Sequence, residues 1–284
     1  MPNPLQNRRM LLANPPSGAA FVGPLDALAA QGATFLHASS VRRLLSSYTG
    51  PACRLRGNGI GTLADISYLS DGSLDLDAAS ALATADGGTQ ALWHTSYDNA
   101  GVANAVQTTD ASQPLFGVDY EAKGAMQGTA AARHLDLNLG TLPNPSFVCF
   151  VTNVAGVSGA RHLLGTSASG SAYCRLSNDL PQQSWGATLA SSALSAGKHL
   201  FGFLINSASS ANYLDGTLIA SGDAGNTLLN MTGGRIGRAS AATTTWFHTT
   251  GNTISEVIVF AGDPTGLAGW SDFVAAQKSY FGIA

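Results

Sequence analysis

The sequence predicts a mainly β protein: a two-sheet β-sandwich with a few short peripheral helices and a C-terminal helix. Three observations carry this. From about Gly117 onward, short apolar or alternating segments recur with turn residues between them, the pattern of a sandwich. Asp215-Gly216, between "ANYL" and "TLIA", is a strong two-residue hairpin signal. The last stretch, "LAGWSDFVAAQKSYFGIA", changes period. Leu267, Trp270, Phe273, Val274 and Gln277 follow a helical spacing, and Gly282 is a stop.

The elements follow in order. Residues 1–23 are rich in Pro, Asn and Gly with isolated apolar residues, and are expected to form an extended arm. "PLDALAAQGA" predicts a short helix ended by Gly32. In "SSVRRLLSSYTGPACRLRG", Val41, Leu44, Leu45 and Tyr48 lie at helical spacing, so a helix is expected with Ser39 or Ser40 as its N-cap. Gly50-Pro51 would end it, and Cys53 to Arg56 alternate as a strand. "TLADISYL" and "TQALWHT" read as strands around a "DLDAASALATA" helix capped by Asp75 or Asp77. The strands expected in the second half are "ARHLDLNL", "SFVCFVTNV", "RHLLGTSA", "AYCRLS", "SWGATLA", "KHLFGFLIN", the hairpin, "GGRIGRA" and "NTISEVIVFA". The expected organisation is an arm (1–23), a small mixed α/β module (24–116) and a sandwich (117–284), the last two forming one compact unit.

Only 11% of residues are charged, against about 25% in an ordinary soluble domain, and the net charge is −3. There is no basic stripe to neutralise phosphates, so nucleic acid is not an expected partner. No apolar run is long enough to span a bilayer, and the N-terminus lacks the continuous apolar segment of a signal peptide. The three cysteines, Cys53, Cys149 and Cys174, cannot form a complete set of internal disulfides, and none has zinc-site spacing. "DGSLDLD" begins like a calcium loop, but its twelfth position is Leu82 rather than glutamate. No metal or cofactor is expected.

"VRRLLSSYTGPACRLRG", Asp65, the "DLDAASAL" helix and "ALWHTSYDNAGVANAVQTTDASQPLF" together resemble a module of the arabinofuranosidase B catalytic domain. The same module recurs in bacteriophage virion proteins. Trp93, Asp98, Asn99, Gly101, Asn104, Ala105 and Gln107 carry most of the loop motif, with its aromatic displaced to Tyr97. "HLFGFLIN", "NYLDGTLIA", "GRIGR" and "ISEVIVFAGD" resemble concanavalin A-like lectin/glucanase domains of the laminin G type. The two resemblances cover about Leu25 to Ala284. They imply a concanavalin A-like jelly roll.

The resemblance to virion proteins implies a non-catalytic structural protein exposed on a phage particle, in a tail fibre or spike, baseplate, collar or head decoration. Host-surface carbohydrate is a candidate ligand. The alternatives are an arabinofuranosidase-like glycoside hydrolase and a free carbohydrate-binding module. The non-catalytic expectation rests on the carboxylates. A retaining glycosidase needs two of them about 5 Å apart, and most here have local structural roles: Asp71 and Asp215 in turns, Asp75 and Asp77 as caps. Glu256 is expected in a buried ion pair, with Arg235, Arg238 or His248 as its partner. No catalytic residue is therefore assigned.

Trp185, Trp246, Phe247, His248 and Tyr97, in turn-like surroundings, are the candidate sugar-stacking residues. Arg42, Arg43, Arg54, Arg56, Asp65, Asp98 and Glu256 are expected to form structural ion pairs. Arg8, Arg9, Leu11, Leu12 and Phe21 mark the arm as an assembly element holding the chain to other virion proteins. The sparse charge favours a homo-oligomer, with a trimer preferred. The expected location is the virion surface, after synthesis in the host cytoplasm without a signal peptide.

Overall fold

A computed structural model describes residues 20–118, 123–128, 133–156, 158–166, 172–227, 229–239 and 245–284. Arg8, Arg9, Leu11 and Leu12 lie outside the described residues. The chain is mainly β. In order, its elements are α1 (Asp26–Ala30), β1 (Thr34–Ser40), β2 (Cys53–Gly57), β3 (Leu63–Ile66), α2 (Leu76–Ala85), β4 (Ala91–Ser96), β5 (Ala105–Val106), β6 (Leu115–Val118), β7 (Gly124–Gln127) and β8 (Leu135–Leu137). They continue with β9 (Ser146–Val154), β10 (Ala160–Thr166), β11 (Ala172–Ser177), β12 (Leu180–Trp185), β13 (Thr188–Ala190), β14 (Gly197–Ile205), β15 (Ser210–Leu214), β16 (Thr217–Gly222), β17 (Gly234–Ile236), β18 (Thr253–Ala261) and α3 (Trp270–Phe281).

The strands form a large antiparallel sheet that nearly closes on itself. One stretch runs β16–β15–β14–β9–β18. The other runs β3–β2–β4–β5–β8–β17–β10–β11–β12–β13. The sequence led to two separate sheets. Instead, one ladder passes between them through β18–β7–β6–β4. The cause is on β18. Its edge pairs with β1 opposite residues 256–261, then with β7 opposite Thr253 and Ile254. A bulge between Ile254 and Glu256 marks the change, as expected where a ladder turns a corner. At the far side, Gln183 of β12 donates from Nε2 to Leu204 O, Ala211 O and Asn212 Oδ1. That seam is closed by side chains rather than by a backbone ladder.

Local chemistry explains the elements. β9 is buried along its whole length because both faces are covered, Phe147 by Trp270 of α3 and Phe150 by the core around Phe203, so it reads as an apolar run rather than an alternation. Asp215 and Gly216 have φ of 52° and 86°, the two left-handed residues that a tight hairpin needs. Gly282, at φ 65°, terminates α3. Asp75 caps α2 by accepting from Ala78 N. The first half is woven into the rest, since β1 pairs with β18 from Thr34↔Ala261 to Ser40↔Glu256.

The helix expected over Val41–Tyr48 does not form. β1 instead extends to Ser40, and the segment after it is irregular. Its backbone groups are bonded at long range: Val41 N to Ser255 O, Arg43 N to Gly72 O, Leu44 N to Asn99 Oδ1, and Leu44 O from Leu25 N. Val41, Leu44 and Leu45 are still buried. Apolar spacing found the buried residues but not the backbone, because tertiary partners replaced the helical bonds.

Glu256 is 1% exposed. It accepts from Ser40 Oγ at 2.8 Å and, through a very short bond, from Gln277 Nε2. Its cationic neighbour is Arg42, not Arg235, Arg238 or His248. Arg42 Nε lies 3.8 Å from Glu256 Oε2, a Coulombic contact too long for a hydrogen bond. Arg42 Nη2 donates to Gln277 Oε1 at 2.6 Å, and its guanidinium lies over the Tyr280 ring. Burial pushes the Glu256 carboxyl up, while Arg42 and the two hydrogen bonds pull it back. Removing one partner leaves a buried charge uncompensated. Arg42→Leu is therefore expected to destabilise the fold by about 3–5 kcal/mol in denaturant unfolding. Adding Glu256→Leu should recover much of that loss.

His199 Nδ1 lies 2.9 Å from Asp215 Oδ2, and its Nε2 lies 3.0 Å from Ser195 O. Both partners are acceptors, so the imidazolium, with a hydrogen on each nitrogen, is the form that satisfies both contacts. Burial works to lower its pKa, but Asp215 and the Ser195 carbonyl outweigh burial and raise it. A raised histidine pKa gives stability that is complete below the unfolded value, about 6.5. That stability is lost as pH rises through the folded value. The urea midpoint should fall across this window above pH 6.5 in wild type, and the fall should shrink in His199→Gln.

Candidate functional site

The sheet register lays one row across the outer face, open at Asp65 and Arg54 on one side and at Asp136 on the other, with Thr95 buried in its middle. Asp65 of β3 faces Arg54 of β2, which faces Thr95 of β4. Thr95 faces Val106 of β5, Val106 faces Asp136 of β8, and Asp136 faces Arg235 of β17. Residues directly opposite in an antiparallel ladder share a face, so sequence-distant ionisable groups become neighbours. The opposite face carries the core, as in Leu135, Ile236, Leu164, Cys174 and Gln183, all fully buried.

A bulge shapes the middle of the row. Arg54 pairs with Thr95 but Leu55 pairs with Trp93, so His94 is the extra residue. A bulge re-aims a side chain. Here the half-buried His94 senses Arg54, Arg56 and Asp110, and Nδ1 lies 2.9 Å from Thr95 Oγ1. Burial, then Arg54 and Arg56, lowers its pKa against the pull of Asp110, which favours the neutral imidazole.

The charges on the row and beside it are paired. Arg54 grips Asp65 with two bonds, Nε–Oδ1 at 2.8 Å and Nη2–Oδ2 at 3.0 Å. Tyr97 OH donates to Asp65 Oδ1 at 2.8 Å. Arg56 Nη2 lies 2.8 Å from Asp110 Oδ2, and Arg235 Nε lies 3.1 Å from Asp136 Oδ1. The three carboxylate side chains are open, with exposures of 41% for Asp65, 59% for Asp110 and 52% for Asp136. His134 stands beside Asp136 at 3.3 Å, but Gln107 Nε2 is 3.0 Å from the same His134 Nε2. Gln107 Oε1 is committed to Thr109 N, so its amide orientation is set and Nε2 is the donor. His134 Nε2 therefore accepts from Gln107 and does not bridge to Asp136. Beyond Arg235 the row is covered: Gly165 packs against Ala239, and Tyr173 is buried.

Most of the loop motif after Trp93 is scaffolding. Asp98 is buried and accepts four amides: Ala38 and Ala100 on Oδ1, Val102 and Ala103 on Oδ2. It pairs with no arginine, contrary to the ion-pair expectation, because these amides fill its lone pairs. Asn99 Oδ1 holds Leu44 N, and Asn104 Oδ1 holds Asp98 N. Asp86 is another carboxylate with a structural task. Thr62, through its side chain and amide, and the amides of Gly59 and Gly61 pull its carboxyl down to about 2. Arg43 lies over the Phe21 ring, 3.9 Å from its centroid, so Phe21 is docked on its own chain.

The candidate sugar-stacking residues separate. Trp185, Trp246 and Phe247 are fully buried, and none has a ring face open to solvent. Trp185 Nε1 donates to Gln183 Oε1 in the closing seam, and Trp246 Nε1 donates to Thr253 O. The two indoles can be buried because each N–H finds an internal acceptor. His248 is exposed, while Tyr97 is half-buried and stands beside the outer-face row, bonded to Asp65. Sequence reasoning missed His94, Asp110, His134 and Asp136 as a group. The outward Asp136 in the alternating "LDL" was the available signal. Among the described residues, no group of His, Cys, Asp and Glu is arranged to hold a metal ion. The three cysteines are buried and free, and burial pushes their thiols up. No described helix is long and apolar enough to cross a membrane.

No family model matches the sequence, and no curated protein matches it. Solved structures do. An arabinofuranosidase complexed with arabinofuranosyl-α-1,2-xylobiose aligns with a TM-score of 0.64 at 14% identity, over 90% of this chain and 65% of that one. A GH54 α-L-arabinofuranosidase soaked with a cyclic sulfate inhibitor gives 0.62 at 14% identity, over 90% and 66%. A point mutant of a GH54 α-L-arabinofuranosidase, soaked with 4-nitrophenyl α-L-arabinofuranoside, gives 0.64 at 15% identity, over 90% and 66%. The chain thus spans about two thirds of the length of the enzymes it matches. At these identities the likeness is one of fold.

These matches correct the functional expectation. The fold that recurs across 90% of the chain is the one seen in these arabinofuranosidase structures. The virion, tail and decoration assignments, and the reading as a non-enzyme, have no support from it and do not stand.

Burial makes one test direct. Trp185→Ala and Trp246→Ala should each cost about 3–5 kcal/mol in thermal or denaturant unfolding, as for large core aromatics. A sugar platform would give a near-neutral stability change instead.

Proposed function

We propose that this chain is an arabinofuranosidase-like glycoside hydrolase module whose saccharide lies on the outer-face row. The carrying observation is the alignment of 90% of the chain with arabinofuranosidase structures. A laminin G-type jelly roll is part of the same reading. Glycoside hydrolysis uses two carboxyl groups on either side of the scissile bond. Among the described residues, Asp110 and Asp136 suit this because both are open to solvent, each is held by an arginine, and Asp136 stands beside His134. Asp136, held by Arg235, is assigned as the carboxylate facing the anomeric carbon. Asp110, the more open group, is assigned to proton transfer. Arg56 and Arg235 hold the two side chains in place.

The test is turnover of 4-nitrophenyl α-L-arabinofuranoside by the purified protein. The wild type should release nitrophenol. Asp110→Asn and Asp136→Asn should each lower kcat by about a hundredfold or more. Turnover unchanged in both variants would sink the site, and no turnover of any arabinofuranoside would sink the function.

A further inference from the structure

The row continues well past Asp136, the assigned carboxylate that lies on it. From Asp65 on β3 to Arg235 on β17 it crosses five strand spacings, about 24 Å at roughly 4.8 Å each. One sugar ring cannot touch all of it. At the far end, Arg54, Asp65 and Tyr97 form an exposed cluster whose bonding is incomplete in a specific way. Arg54 spends Nε and Nη2 on Asp65 and keeps Nη1 for another acceptor. Tyr97 OH donates to Asp65 and keeps its lone pairs. Donor and acceptor capacity thus stand side by side, as adjacent hydroxyls on a sugar require.

The charge on the row decides the class of ligand. Arg54, Arg56 and Arg235 are matched one to one by Asp65, Asp110 and Asp136. The formal charges of these six groups cancel, so together they offer no net attraction to an anionic polymer. The row offers many hydrogen bonds of both senses, which suits a neutral polyhydroxylated chain. We infer that Arg54, Asp65 and Tyr97 form a distal subsite, and that the row binds an extended neutral oligosaccharide rather than a single sugar. This rests on the reading of the row as a saccharide site, but not on catalysis.

Calorimetric titration with xylo-oligosaccharides of two to six units therefore tests it without any turnover. Affinity should rise with chain length, by about tenfold or more from the shortest to the longest. Arg54→Ala and Tyr97→Ala should each weaken hexasaccharide binding about tenfold, the size of one lost charge-assisted hydrogen bond. Asp65→Asn, which keeps the shape, should weaken it less. Arg54 and Asp65 are exposed, and a thermal melt checks that each variant is folded. Affinity independent of chain length would overturn the inference, as would a length dependence that survives both alanine variants. A protein that binds the long chain but does not cleave aryl glycosides would refute the hydrolase reading and leave the subsite standing.

Discussion

The fold turns on a single buried carboxylate. Glu256 sits on the central strand β18 beside the bulge where that strand exchanges β1 for β7 as its neighbour. Its partners come from three separate places: Ser40 at the end of β1, Arg42 just beyond it, and Gln277 on the C-terminal helix. A charge in that position is tolerable only if all of these arrive together. The cluster therefore ties the two ends of the described chain to the corner of the sheet. It also explains why the segment after Ser40 is irregular. Arg42 must reach α3, and the backbone around it is held by distant partners.

The corner has a consequence for the surface. By sending the ladder from β18 through β7 and β6 to β4, it sets β4 between β2 and β5. That order brings Asp65, Arg54, Asp136 and Arg235 into one row although their sequence separations are large. The bulge at His94 adds a neutral imidazole to the same face. The loop motif that follows Trp93 contributes mostly indirectly. Asp98 and its amides shape the turn, and Gln107, bonded to Thr109 N, sets the hydrogen-bonding state of His134.

Much of the fold was legible. β9, β14 and β18 are long apolar runs, the Asp215-Gly216 hairpin is a backbone requirement, and α3 has a clear helical period. The Val41–Tyr48 segment was not, because its burial pattern fits a helix equally well and only long-range bonds decide it. The site was still less legible. Asp136 and Arg235 are ordinary outward residues on short strands, and nothing local says that they face each other. Trp185, Trp246 and Phe247 drew notice as aromatics near turns, yet their turns are packed inside. The glycosidase alternative was weighed from the loop motif. Sequence alone places no carboxylate pair for it, because the register that sets Asp136 against Arg235 and Val106 is not local information.

The most direct measurement is a crystal structure of the protein soaked with 4-nitrophenyl α-L-arabinofuranoside. The account predicts the sugar ring on the outer face, between Asp110 and Asp136 and within hydrogen-bond reach of both. A sugar bound at another surface, or an empty outer-face row at saturating ligand, would contradict it.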